Sequence, residues 1–213
     1  MDASSRIIDL RNLLAERFPE PQIAPQARLA TGIAALDQAN GGLPKGAITE
    51  LTSAHPSSGS ASLIAALLQR AHAEGQFLAL IDGRDSFDPQ PLGNNLLGNL
   101  LWVRCSKAIE AVKAADLLLR DGNFPLVILD LVLNSADELR KIPQTSWYRS
   151  QRLVEPLATA FLVLTRRSMI SSAQVKLTLE NRWMLRDLQE DVDCARFRVH
   201  VQRVQGGKQE LAV

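Results

Sequence analysis

The chain has few of the residues that usually build metal centres and disulfide frameworks. Its 213 residues include 2 cysteines and 3 histidines. Cys105 and Cys194 lie far apart and form no C-x-x-C spacing, so neither a metal site nor a disulfide is expected. Free cysteines are among the most buried residue types, and both are therefore predicted to be buried, inert thiols.

Long apolar stretches are also missing. No uninterrupted apolar run approaches the roughly 18 residues of a membrane-spanning helix, and the N-terminus lacks the pattern of a signal peptide. An apolar fraction of 46% and a charged fraction of 22% are ordinary for a globular protein. We therefore expect a cytoplasmic protein with one core domain and no membrane association.

The net charge is only +1, but the two signs are unevenly distributed. Residues 1–139 carry a net charge of −5 and residues 140–213 a net charge of +6. This asymmetry is compatible with a nucleic-acid or acidic-partner face in the C-terminal third. It is equally compatible with an ordinary solvated surface, because the basic residues form no dense patch.

Apolar runs alternate with helical patterns along most of the chain. The runs predict buried strands, and the last two segments alternate like edge or antiparallel strands. The predicted fold is α/β, with a mostly parallel central sheet, helices on both faces and antiparallel strands at the C-terminal edge. The predicted strands are 47–51, 77–81, 126–130, 160–165, 176–182 and 195–203, and the predicted helices are 33–38, 60–74, 106–120 and about 148–160.

The N-terminal residues form a separate unit. Ile7, Leu10, Leu14 and Phe18 fall on one helical stripe, and three prolines between residues 19 and 25 then stop the helix. We expect an N-terminal helix and Pro-rich linker over residues 1–27 and a core domain over residues 28–213. The apolar stripe either folds back on the core or binds a partner molecule.

The strand, small-residue loop and helix at residues 47–74 have the layout of a phosphate-binding P-loop, G-x-x-x-x-G-K-[ST]. Gly59 stands at the second glycine, but Ala54, Ser60 and Ala61 replace the first glycine, the lysine and the Ser/Thr. Without the ammonium and the hydroxyl, neither the phosphates nor Mg²⁺ are held. We expect a vestigial site without cofactor or metal, whose residues are Ser57, Ser58, Gly59, Ser60 and Ala61. Its serines could bind a weakly held anion or simply cap the helix.

Several motifs in sequence order resemble the RecA family. They are Thr31-Gly32 with Leu36-Asp37, Gly41-Gly42-Leu43-Pro44-x-Gly46-x-Ile48-x-Glu50, Ser57-Ser58-Gly59, Glu74-Gly75 with Ala79-x-Ile81-Asp82, Asp88-Pro89 and Leu126–Asp130. The resemblance covers about residues 28–135 and implies a RecA-like P-loop NTPase core. In that core Asp130 matches the Walker B aspartate, which either holds Mg²⁺ through water or, in this chain, has a structural role.

Most of the family's ATPase residues are replaced. The resemblance places Arg84 where the family has the glutamate that orients the attacking water. Thr165-Arg166-Arg167 stands where the family has its amide-bearing sensor, and the long DNA-binding loop is not recognisable within Leu131–Arg152. With Ser60 and Ala61, these replacements imply that the chain does not hydrolyse ATP.

A short, ATPase-degenerate chain of this kind is similar to the ImuA proteins, described as RecA/SulA-like. The resemblance implies a non-catalytic accessory role in SOS mutagenesis and translesion synthesis, with RecA and/or an inactive Y-family polymerase homologue as partner. Two alternatives stay open. One is a divergent DNA-dependent ATPase whose missing groups come from Arg84, Lys45 or a neighbouring subunit, and the other is a SulA-type inhibitor of cell division.

Two sets of residues are candidates for contacts with other molecules. The stripe of Ile7, Leu10, Leu14 and Phe18 suits a groove on a partner protein. A basic–aromatic cluster is compatible with stacking on single-stranded DNA, although a Trp–Tyr pair at a helix start is also typical of a packing anchor. The cluster comprises Trp147, Tyr148, Arg149 and Arg152, with Arg166 and Arg167 nearby in the predicted fold.

Overall fold

The computed structural model describes residues 27–53, 55, 58–182 and 196–204. The predicted N-terminal helix with Ile7, Leu10, Leu14 and Phe18 lies outside these residues, as do Ser57 and Cys194. The strands are β1 (Arg28–Leu29), β2 (Leu43–Pro44), β3 (Ala47–Ser53), β4 (Leu78–Asp82), β5 (Leu100–Arg104), β6 (Leu126–Asp130), β7 (Ala160–Thr165), β8 (Val175–Leu179) and β9 (Val199–Val204). The helices are α1 (Ala34–Asn40), α2 (Ser60–Ala73), α3 (Gly93–Leu97), α4 (Ala108–Asp121), α5 (Ala136–Arg140) and α6 (Gln144–Val154), with a 3₁₀ turn at Gln90–Leu92.

Seven strands form the central sheet in the order β5-β4-β6-β7-β3-β8-β9. All neighbours pair in parallel except β8 and β9, which pair antiparallel at the edge. The predicted α/β class, with a mostly parallel sheet and an antiparallel C-terminal edge, is confirmed. The only antiparallel pair in the described sheet is β8–β9, because β8 itself runs parallel to β3.

The sheet separates two apolar cores. On one face α1 and α2 pack through a cluster that includes Leu36, Leu63 and Leu68. On the other face α4 and α6 pack through a cluster that includes Ala111, Leu119 and Trp147. The central strands are buried on both faces, and this is why they read as continuous apolar runs in the sequence.

Two local predictions are corrected. The helix predicted at about 148–160 is α6, which begins at Gln144 and ends at Val154. It begins at Gln144 because Pro143, in an extended conformation, is its N-cap. The edge strand β5 was not predicted. It is only partly buried, although Leu100, Leu101, Trp102 and Val103 form an apolar run that ends at Arg104. Within the described part of the chain, no helix combines the length and the apolarity that crossing a membrane requires.

Candidate functional site

The loop between β3 and α2 satisfies part of its own hydrogen-bonding capacity. The Ser58 hydroxyl donates to the His55 carbonyl at 2.7 Å and accepts from the His55 N–H at 3.2 Å. The Ser58 N–H also donates to the His55 carbonyl, and Ser58 is fully buried. The N–H of His55 is thus already used, whereas a P-loop directs its backbone N–H groups at phosphate.

Helix α2 starts with small side chains. Its N-cap is Gly59, in the left-handed conformation at φ 89°, and no side chain accepts a capping hydrogen bond there. The predicted cap by a serine side chain is therefore wrong for Ser58, which bonds to His55 instead. Ser60 and Ala61 follow as the first helical residues, and they offer neither an ammonium for phosphates nor, at Ala61, a hydroxyl for Mg²⁺. The residues present do not fit a Mg²⁺–nucleotide.

Two carboxylates end neighbouring strands at the same edge of the sheet. Asp82 of β4 and Asp130 of β6 are in register, and the Asp82 carboxylate accepts from the backbone N–H groups of Ser86 and Phe87, each at 2.7 Å. The Asp130 carboxylate accepts from the Val132 N–H at 2.9 Å. Both carboxylates thus hold the turns that follow their strands.

Burial raises the pKa of Asp130 to about 6, and the negative charge of Asp82 adds to the rise, while the hydrogen bond from Val132 opposes it. A group of three or more His, Cys, Asp or Glu side chains able to hold a metal ion is not found among the described residues.

Arg84, which the resemblance places where the RecA family has its water-orienting glutamate, forms structural contacts in this chain. The Arg84 guanidinium donates to the Ser106 carbonyl at 3.2 Å and lies 3.7 Å from the Glu138 carboxylate. It joins the turn after β4 to α5. An arginine, always protonated, cannot accept a proton from water or orient it as a carboxylate does.

A cavity of about 500 Å³ lies between the start of α2 and the segment after β4. Ala61, Ser62 and Gln69 line it from the helix, and Phe87, Asp88 and Pro91 line it from the segment. The described lining contains one carboxylate and no cation, so it offers nothing to neutralise a polyphosphate.

The basic–aromatic cluster is divided by the fold. Trp147 is fully buried in the core below α6, so the predicted stacking of Trp147 on DNA bases is wrong. Tyr148 is half exposed and its hydroxyl pairs with Ser171 at 3.4 Å. Arg149 forms an ion pair of 2.6 Å with Asp116 of α4.

The remaining arginines of the cluster stay candidates for contact with a polyanion. Arg152, Arg166 and Arg167 are exposed, and no ion pair involves them among the described side chains. What remains of the predicted DNA-contact cluster is therefore these three exposed arginines, without the stacking surface of Trp147.

A buried ion pair in the centre of the sheet was not predicted. Glu50 of β3 is fully buried and its carboxylate lies 3.0 Å from the ammonium of Lys176, its register partner on β8. The same carboxylate accepts from the Ser168 hydroxyl at 2.9 Å and from the N–H groups of Met169 and Ile170 at 2.7 and 3.0 Å. The available signal was a carboxylate inside an otherwise uncharged, buried strand, which requires a partner.

Comparison with known proteins identifies one matching family model and several similar proteins. The family model of the RecA N-terminal domain matches residues 20–140. Protein RecA of Clavibacter michiganensis is 35% identical over 121 residues, which are 54% of this chain and 33% of that protein. Protein RecA of Cutibacterium acnes is 34% identical over 121 residues, 54% and 34% of the two chains, and that of Francisella philomiragia is 34% identical over 110 residues, 49% and 30%. The matches thus span about a third of the length of these relatives.

Proposed function

The chain belongs to the RecA N-terminal domain family, and from that premise we propose that it is a non-catalytic accessory protein in damage-induced (SOS) mutagenesis. In this proposal it acts in translesion synthesis through contacts with RecA and/or an inactive polymerase homologue of the Y family. Neither ATP hydrolysis nor a bound cofactor is part of its action.

The observation that carries the proposal is the chemistry at the start of α2. Ser60 and Ala61 occupy the positions where a P-loop ATPase has its lysine and its Mg²⁺-binding hydroxyl. Arg84, at the position of the catalytic glutamate, is engaged with Ser106 and Glu138. These groups act as a unit in phosphoryl transfer, and losing all of them removes both the positioning and the charge stabilisation of the reaction.

The intact core supports a function in which the protein binds a partner through its surface. The described residues form a seven-stranded sheet with an apolar core on each face, whereas Ser60 offers no ammonium and Ala61 no hydroxyl. A fold retained without its catalytic groups favours a binding role, because binding needs a shaped surface and no reacting residues.

The test is genetic. In the native host, deletion of the gene is expected to reduce mutation frequency after ultraviolet damage, and the wild-type copy is expected to restore it. Asp130→Asn should restore it equally, because no bound Mg²⁺ is required. An unchanged mutation frequency after deletion would refute the mutagenesis role.

Two further outcomes distinguish the alternatives. Failure of a folded Asp130→Asn protein to complement the deletion would favour the divergent ATPase. A block of cell division on overproduction would favour the SulA-type inhibitor.

A further inference from the structure

A second cavity, of about 620 Å³, opens between the segment after β6 and the turn after β7. We call it the arginine groove, because Arg140, Arg166 and Arg167 line it together with the apolar side chains of Leu133, Leu139, Ile142 and Met169. The groove has both the size of a ligand site and a mixed lining of cations and apolar groups.

The apolar lining is accessible. Leu133 is 49% exposed, and Leu139 and Met169 are half-buried. A large aliphatic side chain so exposed within a concave surface gains free energy when a partner's apolar side chain covers it.

The charge in the groove is unbalanced. Arg166 and Arg167 are exposed and have no ion pair within the described part of the chain, whereas Arg140 is paired with Asp137. The Glu138 carboxylate of α5 is held by Ser135 and Arg84. Unpaired guanidinium groups bind carboxylates or phosphates with two parallel hydrogen bonds.

Both sides of the groove are held in place. Ser135 and Glu138 form a capping box that fixes the start of α5. On the opposite side, the buried Glu50 carboxylate fixes Ser168 and Met169. A preformed groove loses little conformational entropy when it binds a ligand, which lowers the cost of binding.

We propose that the arginine groove binds an acidic peptide segment of a partner protein. A carboxylate of the segment pairs with Arg166 or Arg167, and a neighbouring apolar side chain packs on Leu133 and Met169. This inference rests on the proposed function, in which the protein acts through partner contacts, and it names the chemistry of the segment that is bound. Nucleic acid fits less well, because none of the described lining residues is an aromatic platform for bases and much of the surface is apolar.

The probe is a displayed library of random peptides of about 12 residues. The library is selected on the purified full chain and counter-selected on the Arg166→Glu/Arg167→Glu variant. Selected peptides are expected to combine Asp or Glu with an adjacent Leu, Ile, Met or Phe. Peptides without acidic enrichment, or no enrichment at all, would overturn the proposal.

Affinity is then measured with the best fluorescent peptide by anisotropy. Arg166→Glu/Arg167→Glu and Leu133→Asp should each weaken binding about tenfold or more, and added salt should weaken it in the wild type. Matched controls are Lys113→Glu and Leu117→Asp on α4, outside the groove, which should stay within about twofold. Circular dichroism verifies that each variant is folded, and equal weakening by the controls would overturn the assignment of the groove.

A single-stranded oligothymidine of about 20 nucleotides completes the experiment. If it binds through the same arginines while no peptide is selected, the groove is a nucleic-acid site and the proposal is wrong. Peptide binding at the groove in a protein whose deletion leaves induced mutation unchanged would retain the groove and refute the proposed function. If deletion lowers induced mutation but no peptide is selected, the proposed function is retained and the peptide groove is refuted.

Discussion

The carboxylate of Glu50 and the ammonium of Lys176 lie 3.0 Å apart across neighbouring parallel strands, with Glu50 at 0% and Lys176 at 14% side-chain exposure. This pair links β3, the strand before the loop at the start of α2, to the turn at Ser168–Ile170, which forms one side of the arginine groove. Strand β3 thus holds a turn at the protein surface.

Glu50→Gln is expected to lower the free energy of unfolding by about 2–4 kcal/mol. The amide nitrogen would face Lys176 and the Ser168 hydroxyl in place of an acceptor, which leaves the ammonium without its partner. Chemical denaturation at neutral pH measures the loss. As a control, Arg120→Ala, which breaks the exposed pair of Arg120 with Asp116, should cost no more than about 1 kcal/mol.

The double variant Glu50→Gln/Lys176→Met tests whether the two charges act as a pair. Its loss of stability should fall short of the sum of the single losses by about 1 kcal/mol or more, because no unpaired charge is left in the sheet. Additive losses would show that Glu50 acts only through Ser168, Met169 and Ile170.

Asp130→Asn is expected to stabilise the protein at pH 7.5 by about 1–3 kcal/mol. Burial raises the pKa of Asp130 to about 6 in the folded protein from its ordinary value of 3.8. The folded state therefore retains a proton that the unfolded state releases between these two values. The wild type loses stability as the pH rises through that window, and the penalty is complete above the folded pKa.

The advantage of Asp130→Asn should therefore vanish near pH 3.5, where the carboxyl is protonated in both states. Thermal denaturation of both proteins between pH 3.5 and 7.5 measures this. An advantage that does not depend on pH would contradict the raised pKa.

Gly83→Ala is expected to destabilise the protein by about 1–3 kcal/mol. A Cβ at Gly83 would lie 2.5 Å from the Asn134 side-chain oxygen and 2.7 Å from the Asp130 carbonyl, and the carbonyl belongs to a central strand that cannot shift freely. Gly98→Ala is the control, because its nearest neighbour would be 3.5 Å away, and it should change stability by less than about 0.5 kcal/mol. Equal melting temperatures for the two variants would refute the close packing of Gly83.

Placing the lysine and threonine of an active P-loop at positions 60 and 61 should give ATP binding without ATP hydrolysis. Ser60→Lys/Ala61→Thr supplies the ammonium and the hydroxyl at the start of α2, so we expect Mg²⁺-dependent ATP binding at least about tenfold tighter than in the wild type. Hydrolysis should stay undetectable because Arg84 supplies no carboxylate. Calorimetry and a phosphate-release assay measure the two properties, and turnover by this variant would show that Arg84 is no obstacle.

The apolar periodicity predicted most of the fold. A continuous run such as Leu126–Asp130 is typical of a buried parallel strand, and the structure has that strand at the predicted bounds. Strand β5 was missed although Leu100–Val103 is an apolar run, because so short a run does not by its periodicity distinguish a strand from a helix.

The site was predictable only where a motif fixes each position. Ser60 and Ala61 were assigned from the fixed spacing of the P-loop motif and Arg84 from the resemblance to the RecA family, and these assignments stay predictions. Trp147 was misjudged because its basic neighbours suggested a surface, although Trp147, Ser150 and Val154 recur at the spacing of a buried helix face. The arginine groove joins segments about 30 residues apart, and no local pattern encodes that proximity.

Nucleotide binding by the wild-type protein tests the central claim most directly. Purified full chain is titrated with a fluorescent ATP analogue and Mg²⁺, while ATP hydrolysis is followed with and without single-stranded DNA. Because Ser60 has no ammonium and Ala61 has no hydroxyl, we predict no Mg²⁺-dependent binding up to millimolar nucleotide and no hydrolysis. Micromolar, Mg²⁺-dependent binding, or hydrolysis stimulated by DNA, would contradict the account.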